Sequence, residues 1–237
     1  MRFPHPLTRG RLLRRYKRFL ADIELENGEV VVAHCANPGS MLGLQDPGIS
    51  AWLSKSDNPK RKLAWSLEVV EVDAGRGPTL VGINTGHPNR LVEDAIAAGA
   101  IAELTGYETM RREVKYGKNS RIDILLSDAA KPDCYVEVKN VHLVRTAGLA
   151  EFPDSVTARG AKHLDELAEM VRQGHRATMF YLVQRGDTET VAIARDIDPV
   201  YGEALDKARD AGVEVVAYGC EVTPDGVEVT GALPFTR

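Results

Sequence analysis

Three charged residues on two neighbouring apolar segments offer the chemistry of metal-assisted hydrolysis. Asp123 interrupts the first segment, and Glu137 and Lys139 interrupt the second. Two carboxylates supply the hard oxygen ligands that Mg²⁺ prefers, and a nearby ammonium group can orient water or offset charge on a phosphate. Glu-x-Lys is also a common same-face ion pair on a solvated sheet. From these residues alone the ion pair is the favoured interpretation, but their placement within apolar strands strengthens the case for a site of phosphodiester hydrolysis.

A β-hairpin would bring the three residues together. Successive side chains on a strand point to opposite faces, so Asp123 projects from one face of the first strand, while Glu137 and Lys139 share one face of the second. Residues 127–133 supply the turn between the strands. The apolar faces are then expected to hold Ile122, Ile124 and Leu126 from the first strand and Val136 and Val138 from the second.

The elements around the hairpin predict an α/β domain of the mixed α+β type. Apolar residues at helical spacing indicate helices over residues 89–104 and 159–173, and Gly174 stands where the residue after a helix is expected. The order around the hairpin is helix, three strands, helix, strand. The other predicted elements are strands at 111–116, 178–183 and 213–218, a helix at 199–211, and turns at 117–119 and 224–226.

The first third of the chain, from residue 16 to about residue 84, is predicted to be a small β domain. Asn27-Gly28 is a strong hairpin signal between two strands with alternating apolar residues. Three further strands are expected, which makes five short strands without a convincing helix and favours a small barrel. Trp52 and Trp65 are expected in its core, although base stacking is the alternative.

Composition and charge limit the class of protein. The chain has 237 residues, 43% of them hydrophobic, which suffices for one large or two modest domains. Its net charge of −4 gives no overall nucleic-acid signal, but residues 1–18 carry seven basic and no acidic side chains. This basic segment is either a phosphate-binding arm or a solvated arm without a partner. The sequence has no export signal or membrane span, and three scattered cysteines suggest a cytoplasmic location.

Several motifs resemble those of a known family. The order of elements, with Asp123, Glu137 and Lys139 in these places, resembles the PD-(D/E)xK nuclease superfamily, although the superfamily's loosely kept proline is missing from residues 120–122. The closer resemblance is to the sugar fermentation stimulation protein A family of bacteria and archaea, from which Ala36 departs because the family prefers proline there. The matching stretches are residues 34–41, 81–85, 89–91, 116–123, 137–140 and 152–164.

The resemblance implies two domains and a partner. Residues 1–84 would form an OB-like β-barrel with a basic N-terminal arm, and residues 85–237 a PD-(D/E)xK nuclease-like domain with a mixed sheet. The implied partner is DNA, with no membrane contact. The implied cofactor is Mg²⁺ or Mn²⁺, bound by Asp123 and Glu137. The family pattern adds Asp94 to the metal site rather than its neighbour Glu93, although interaction with the helix N-terminus explains Asp94 equally well.

Eight further side chains are candidates for nucleic-acid contacts. They lie in the basic N-terminal segment, in a cationic loop of the β domain and on the helix after the hairpin, where residues four apart share a face. For the helix pair, a solvent-facing polar surface is the alternative. The eight are Arg11, Arg14, Arg15, Lys60, Arg61, Lys62, Arg159 and His163.

Two functions compete for this sequence. The first is a DNA-binding protein that hydrolyses phosphodiesters with a divalent metal. The second is a non-catalytic DNA-binding regulator of sugar metabolism genes that uses the nuclease fold for binding alone. The presence of Asp123, Glu137 and Lys139 together favours activity, because a domain released from catalysis need not keep two like charges side by side. No sugar-specific motif supports a sugar-metabolising enzyme.

Overall fold

Six strands build the N-terminal part of the protein in the computed structural model, which describes residues 1–117 and 120–236. Their bounds are β1 (Thr8–Tyr16), β2 (Leu20–Leu25), β3 (Val30–Cys35), β4 (Ser50–Lys55), β5 (Trp65–Asp73) and β6 (Pro78–Gly82). The strand order is β3-β2-β1-β4-β5-β6, and an additional pairing of β3 with β5 closes the first five strands into a barrel. The predicted OB-like barrel is thus confirmed.

The segment predicted to be a basic arm is a barrel strand instead. β1 pairs with both β2 and β4, and Leu12 is fully buried in the barrel core. Gly10 lies so close to β2 that an added Cβ would be 2.7 Å from the carbonyl oxygen of Glu24. Arginines alternate with these small and apolar residues, so the charge density of the sequence conceals an ordinary strand alternation.

Deleting residues 1–15 should therefore unfold the barrel rather than remove a ligand-binding arm. The deletion removes the strand that joins β2 to β4, together with Leu12, and loss of one buried leucine alone costs about 2–5 kcal/mol. A typical domain has only about 5–15 kcal/mol of stability. Thermal unfolding followed by circular dichroism tests this, with Arg11→Gln as a control that keeps the strand. An unchanged melting temperature in the truncated protein would contradict it.

The remaining strands form a second, mixed sheet and a small three-stranded sheet. The strands are β7 (Thr109–Tyr116), β8 (Ser120–Asp128), β9 (Lys131–Val141), β10 (Leu143–Thr146), β11 (Gly148–Phe152), β12 (Arg176–Val183), β13 (Thr188–Ile193), β14 (Glu214–Thr223) and β15 (Gly226–Ala232). The larger sheet has the order β15-β14-β12-β9-β8-β7, with β9, β12 and β14 parallel. The smaller sheet has the order β10-β11-β13.

Three helices cover the larger sheet: α1 (Pro88–Ala97), α2 (Ala158–Arg172) and α3 (Pro199–Asp210). One apolar cluster contains buried side chains of α1 together with Phe180 and Val136 of the sheet, while another contains those of α2 and α3 together with Met179 and Tyr181. Alternate residues of β12 thus face opposite layers, which places α1 on one face and α2 and α3 on the other. No helix within residues 1–117 or 120–236 is long and apolar enough to cross a membrane.

The predicted helices are present, with one shorter than expected. α1 ends at Ala97 rather than residue 104, because Gly99 adopts a left-handed conformation with φ of +72° that terminates a helix. A short 3-10 helix, Ala102–Leu104, follows. Lys118 and Asn119, in the predicted turn at 117–119, lie outside the described residues. Five strands were not predicted from the sequence: β1, β10, β11, β13 and β15.

The faces of β8 differ from the prediction at one residue. Ile124 and Leu126 pack in the apolar cluster on the α1 side, as expected, but Ile122 packs in the cluster on the α2 side. Across the ladder, Arg112 pairs with Ile124 and Val114 with Ile122, so the intervening Glu113 of β7 lies opposite Asp123. Glu113 has a left-handed φ of +53°, which interrupts the regular alternation at the position of Asp123.

A loop of the barrel is bound to the second part of the protein through Asp154. The Ser40 hydroxyl donates to the Asp154 carbonyl at 2.6 Å, and the Met41 amide donates to the Asp154 carboxylate at 2.9 Å. The His142 ring lies 3.4 Å from the same carboxylate. Burial alone would raise the pKa of Asp154, but the nearby His142 ring and the Met41 amide lower it to about 2.

The Asp154 contact should make stability depend on acid pH. Because the folded-state pKa lies below the ordinary value of 3.8, the stabilisation is present above that pH and is lost as the pH falls toward about 2. The shift corresponds to about 2 kcal/mol. Urea unfolding should show Asp154→Asn less stable by that amount at pH 7 and by less near pH 3. Asp57→Asn, at a highly exposed carboxylate, is the control. A constant difference across this range would contradict the assignment.

Candidate metal and active site

The β8–β9 hairpin brings Asp123 beside the start of the Glu137–Lys139 segment. Ile124 pairs with Val136, and beyond this pair the Val138 amide donates to Asp123 Oδ2 at 2.8 Å. The side-chain amide of Asn89, in the first turn of α1, donates to Asp123 Oδ1 at 2.8 Å. Burial and then the charge of Glu137 raise the pKa of Asp123, and the hydrogen bonds only partly offset them. A cation would relieve this repulsion.

Glu137 is almost fully buried, and its two carboxylate oxygens differ. Oε1 accepts from Lys139 Nζ at 2.7 Å and contacts His163 Nδ1 of α2. Oε2 is buried and has no hydrogen-bond partner among the residues that the structure describes. Burial alone would raise the pKa of Glu137, but the hydrogen bond from His163 and the charge of Lys139 hold it below its ordinary value. The site therefore contains a charged carboxylate with one unpaired oxygen.

His163 is buried against Glu137 rather than exposed to solvent or nucleic acid. Arg159 Nε donates to His163 Nε2 at 3.2 Å, so Nε2 is an acceptor and Nδ1 carries the proton that is donated to Glu137. The prediction that Arg159 and His163 share one face of the helix is confirmed, but a solvent-facing position is wrong for His163. The buried face of α2 is wider than the leucine stripe and includes His163 and Gly160.

The donor set fits a hard divalent cation. Glu137 Oε2 lacks a partner, and the neighbouring Asp123 carboxylate has an elevated pKa, so the two acids offer oxygen ligands whose repulsion a cation would relieve. In the described residues, no group of three or more His, Cys, Asp or Glu side chains is arranged to hold a metal. Water, substrate and main-chain oxygens would have to complete the coordination, which is typical of Mg²⁺ sites.

Asp94 does not join this group of side chains. Residues four apart on a helix share a face, so Glu93, not Asp94, lies on the side of α1 that carries Asn89. Glu93 accepts from Arg112 of β7 at 3.2 Å. Asp94 is exposed, lies 3.8 Å from Arg90 in an ion pair, and lines a surface cavity beside β15. Asp94, the third acid predicted from the sequence, thus lies away from Asp123 and Glu137, because its position on the helix turns it to another side of α1.

The predicted nucleic-acid contacts fall into two groups. Three arginines of β1 have protein partners: Arg11 pairs with Glu24, Arg14 pairs with Asp22, and Arg15 donates to four main-chain carbonyl groups. These arginine side chains are therefore largely occupied by contacts within the barrel. The other group is exposed and consists of Lys60, Arg61 and Lys62 in the barrel and Arg159 on α2. Trp52 is buried, but in the apolar cluster on the α1 side rather than in the barrel core where it was expected.

Two contributors to the site were not predicted from the sequence. Asn89 was known only as part of a matching motif, although its spacing of four residues from Glu93 could have marked it as facing the sheet. Tyr116, the last residue of β7, has a buried hydroxyl without a partner among the described residues. Burial first, and then the charges of Glu137, Glu166 and Asp123, raise the pKa of Tyr116, so its hydroxyl remains protonated beside the carboxylates.

Comparisons with known proteins identify the two parts of the chain. Residues 13–83 match the family model described as the SfsA N-terminal OB domain, and residues 86–226 match the Sugar fermentation stimulation protein RE domain. Curated relatives named sugar fermentation stimulation protein homolog include one from Azorhizobium caulinodans, 58% identical over 99% of both chains, and one from Rhodospirillum centenum, 59% identical over 98% of both. A solved structure described as Pyrococcus furiosus SfsA in complex with Ca²⁺ has a TM-score of 0.88 at 26% identity, covering 100% of this chain and 98% of that one.

Proposed function

Because this chain belongs to the sugar fermentation stimulation protein family, we propose that it is a DNA-binding protein that hydrolyses phosphodiester bonds with Mg²⁺ or Mn²⁺ at Asp123 and Glu137. The observation that carries the proposal is the buried, unpaired Oε2 of Glu137, on the carboxylate whose charge raises the pKa of Asp123. The P. furiosus relative is described as a complex with Ca²⁺, another hard cation that prefers oxygen ligands, which supports a divalent cation for this fold.

Each side chain has a role that follows from its contacts. When bound, the cation would polarise a phosphate oxygen and supply positive charge as the phosphodiester reacts. Lys139, whose ammonium group lies 2.7 Å from Glu137, orients the attacking water and offsets developing negative charge. His163 holds Glu137 Oε1 and thereby leaves Oε2 free to bind a cation, while Asn89 fixes the Asp123 carboxylate.

A cleavage assay tests the proposal. Supercoiled plasmid and single-stranded DNA are incubated with the protein in Mg²⁺, in Mn²⁺ or in EDTA, and binding is measured in parallel on the same preparation. We expect nicking or degradation only with metal. If the protein binds DNA tightly but cleaves neither substrate with either metal, the binding-only regulator is the correct function.

A reducing location accompanies this proposal. All three cysteines, Cys35, Cys134 and Cys220, are free and buried. Burial raises the pKa of each thiol, to about 12 for Cys220, so these thiols are poor nucleophiles. We place the protein in the cytoplasm, where free cysteines persist and DNA is available.

A further inference from the structure

An exposed aromatic pair lies on the outer surface of the barrel. Phe19, immediately before β2, is 44% exposed, and its ring stacks on the ring of His34 in β3 with centroids 6.4 Å apart and planes 24° from parallel. His34 alternates with Ala33 and Cys35, both fully buried, so its ring points away from the core. We call Phe19 and His34 the aromatic platform.

The barrel topology places the platform on a particular face. Leu20 of β2 pairs with His34, and His34 pairs in turn with Ser66 of β5, so the platform crosses adjacent strands. The turn between β1 and β2 borders it on one side. On the other side, the loop between β4 and β5 carries Arg61, whose guanidinium group donates to Ser66 Oγ at 2.7 Å. In five-stranded barrels of this type, the face of strands two and three and these two loops bind oligonucleotides.

Uncompensated cations surround the platform. Lys17 and Arg18 form a tight turn beside Phe19 with left-handed φ values of 49° and 64°, and both side chains are exposed. On the other side are Lys60, Arg61 and Lys62, the exposed cations of the β4–β5 loop. Among residues 1–117 and 120–236, no carboxylate forms an ion pair with any of these five, unlike Arg11 and Arg14 of β1. The two loops therefore present free positive charge on both sides of an aromatic surface.

We propose that the aromatic platform stacks unpaired bases of single-stranded DNA, while the two cationic loops bind the flanking phosphates. This inference rests on the proposed DNA function and adds a binding site on the barrel, separate from the hydrolytic residues. Stacking on a protein ring requires a base that is not enclosed in a duplex, which favours a single strand over double-stranded DNA. The platform replaces the tryptophans considered from the sequence, because Trp52 is buried in the cluster on the α1 side and Trp65 packs against the barrel core.

Fluorescence anisotropy in EDTA tests the platform without cleavage. The probes are a labelled 15-mer of oligodeoxythymidine and a labelled 15-base-pair duplex. Phe19→Ala should weaken binding of the single strand roughly 5- to 150-fold, as expected when one stacked base is no longer held, and should leave the duplex nearly unchanged. Phe19→Trp should restore the affinity. Val156→Ala, at a 75% exposed apolar residue outside the barrel, is the matched control.

The cationic loops have their own readout. Replacing Lys60, Arg61 and Lys62 with glutamine should flatten the dependence of log affinity on log salt by about 0.7 for every phosphate that the variant no longer binds. The platform is overturned if wild type does not bind the single strand, or if Phe19→Ala, with an unchanged melting temperature, binds it as tightly as wild type. It is also overturned if both probes lose affinity equally. The hydrolytic proposal is tested separately, by measuring DNA cleavage by the wild-type protein. The result of that assay does not depend on whether the platform binds single-stranded DNA.

Discussion

Lys139→Met should reduce metal-dependent DNA cleavage about 10²–10³-fold while leaving DNA affinity almost unchanged. Loss of one preorganised electrostatic stabiliser has this effect on turnover. A single phosphate contact contributes far less to binding. Lys139 is only 15% exposed and lies 2.7 Å from Glu137, so it is held at the site rather than on the general DNA-binding surface. The measurement is the initial rate of plasmid nicking beside a binding titration on the same protein.

The control for Lys139 is a lysine of similar charge on another surface. Lys162→Met removes a half-exposed cation on α2 that lies 3.7 Å from Glu166, and it should cleave at nearly the wild-type rate. If Lys139→Met cleaves as fast as wild type, the activity belongs to a contaminant or to another site. If both variants lose cleavage and DNA affinity together, Lys139 acts only as a general positive charge.

Asp123→Asn should abolish high-affinity Mn²⁺ binding, whereas Lys139→Met should keep it. The asparagine retains an acceptor for the Val138 amide but loses the negative charge that attracts the cation. Asn89→Ala removes only the partner that fixes Asp123, so we expect an intermediate loss of about 10–100-fold. Removing Lys139 deletes a positive charge next to Glu137, which cannot weaken attraction for a metal. Calorimetry of the three variants gives this ranking.

The pH dependence of the same titration provides a second check on Asp123. Burial and the charge of Glu137 raise the pKa of Asp123, so protons compete with the metal at a higher pH than for an exposed aspartate. Affinity for Mn²⁺ should therefore fall as the pH decreases through this raised pKa. Equal affinities of wild type and Asp123→Asn at neutral pH would remove Asp123 from the metal site.

The hairpin and its charged residues could be predicted from the sequence because they depend on local rules. Strand alternation places Glu137 and Lys139 on one face of β9, and polar residues between the strands form the turn. The surroundings of Glu137 depend on distant contacts that no local pattern encodes. His163 is 26 positions away in the chain, and its burial depends on how α2 packs against β9. A helical wheel alone treats such a histidine as part of the polar face.

The errors in the sequence analysis also have physical causes. The high density of arginine led us to interpret β1 as a charged arm. The alternation of these arginines with Gly10 and Leu12, which indicates a strand, was given less weight than their charge. Ile122 faces the opposite side of the sheet from the one predicted, where the facing strand has the left-handed conformation of Glu113. Glutamate gives no sequence signal for such a backbone. The family pattern favoured Asp94 as a third acid at the metal site. The spacing of four residues from Asn89, which contacts Asp123, instead places Glu93 on that side of α1. For β1 and Asp94 a local signal was present in the sequence but was given too little weight, whereas the backbone of Glu113 gives no local signal.

A crystal grown with Mn²⁺ tests the central claim most directly. We expect an anomalous density peak that contacts both the carboxylate of Asp123 and Glu137 Oε2, the oxygen without a partner among the described residues. The same peak should disappear from crystals of Asp123→Asn grown in the same solution. Mn²⁺ bound elsewhere, with Glu137 Oε2 contacting only water or protein at saturating metal, would contradict the proposed metal site.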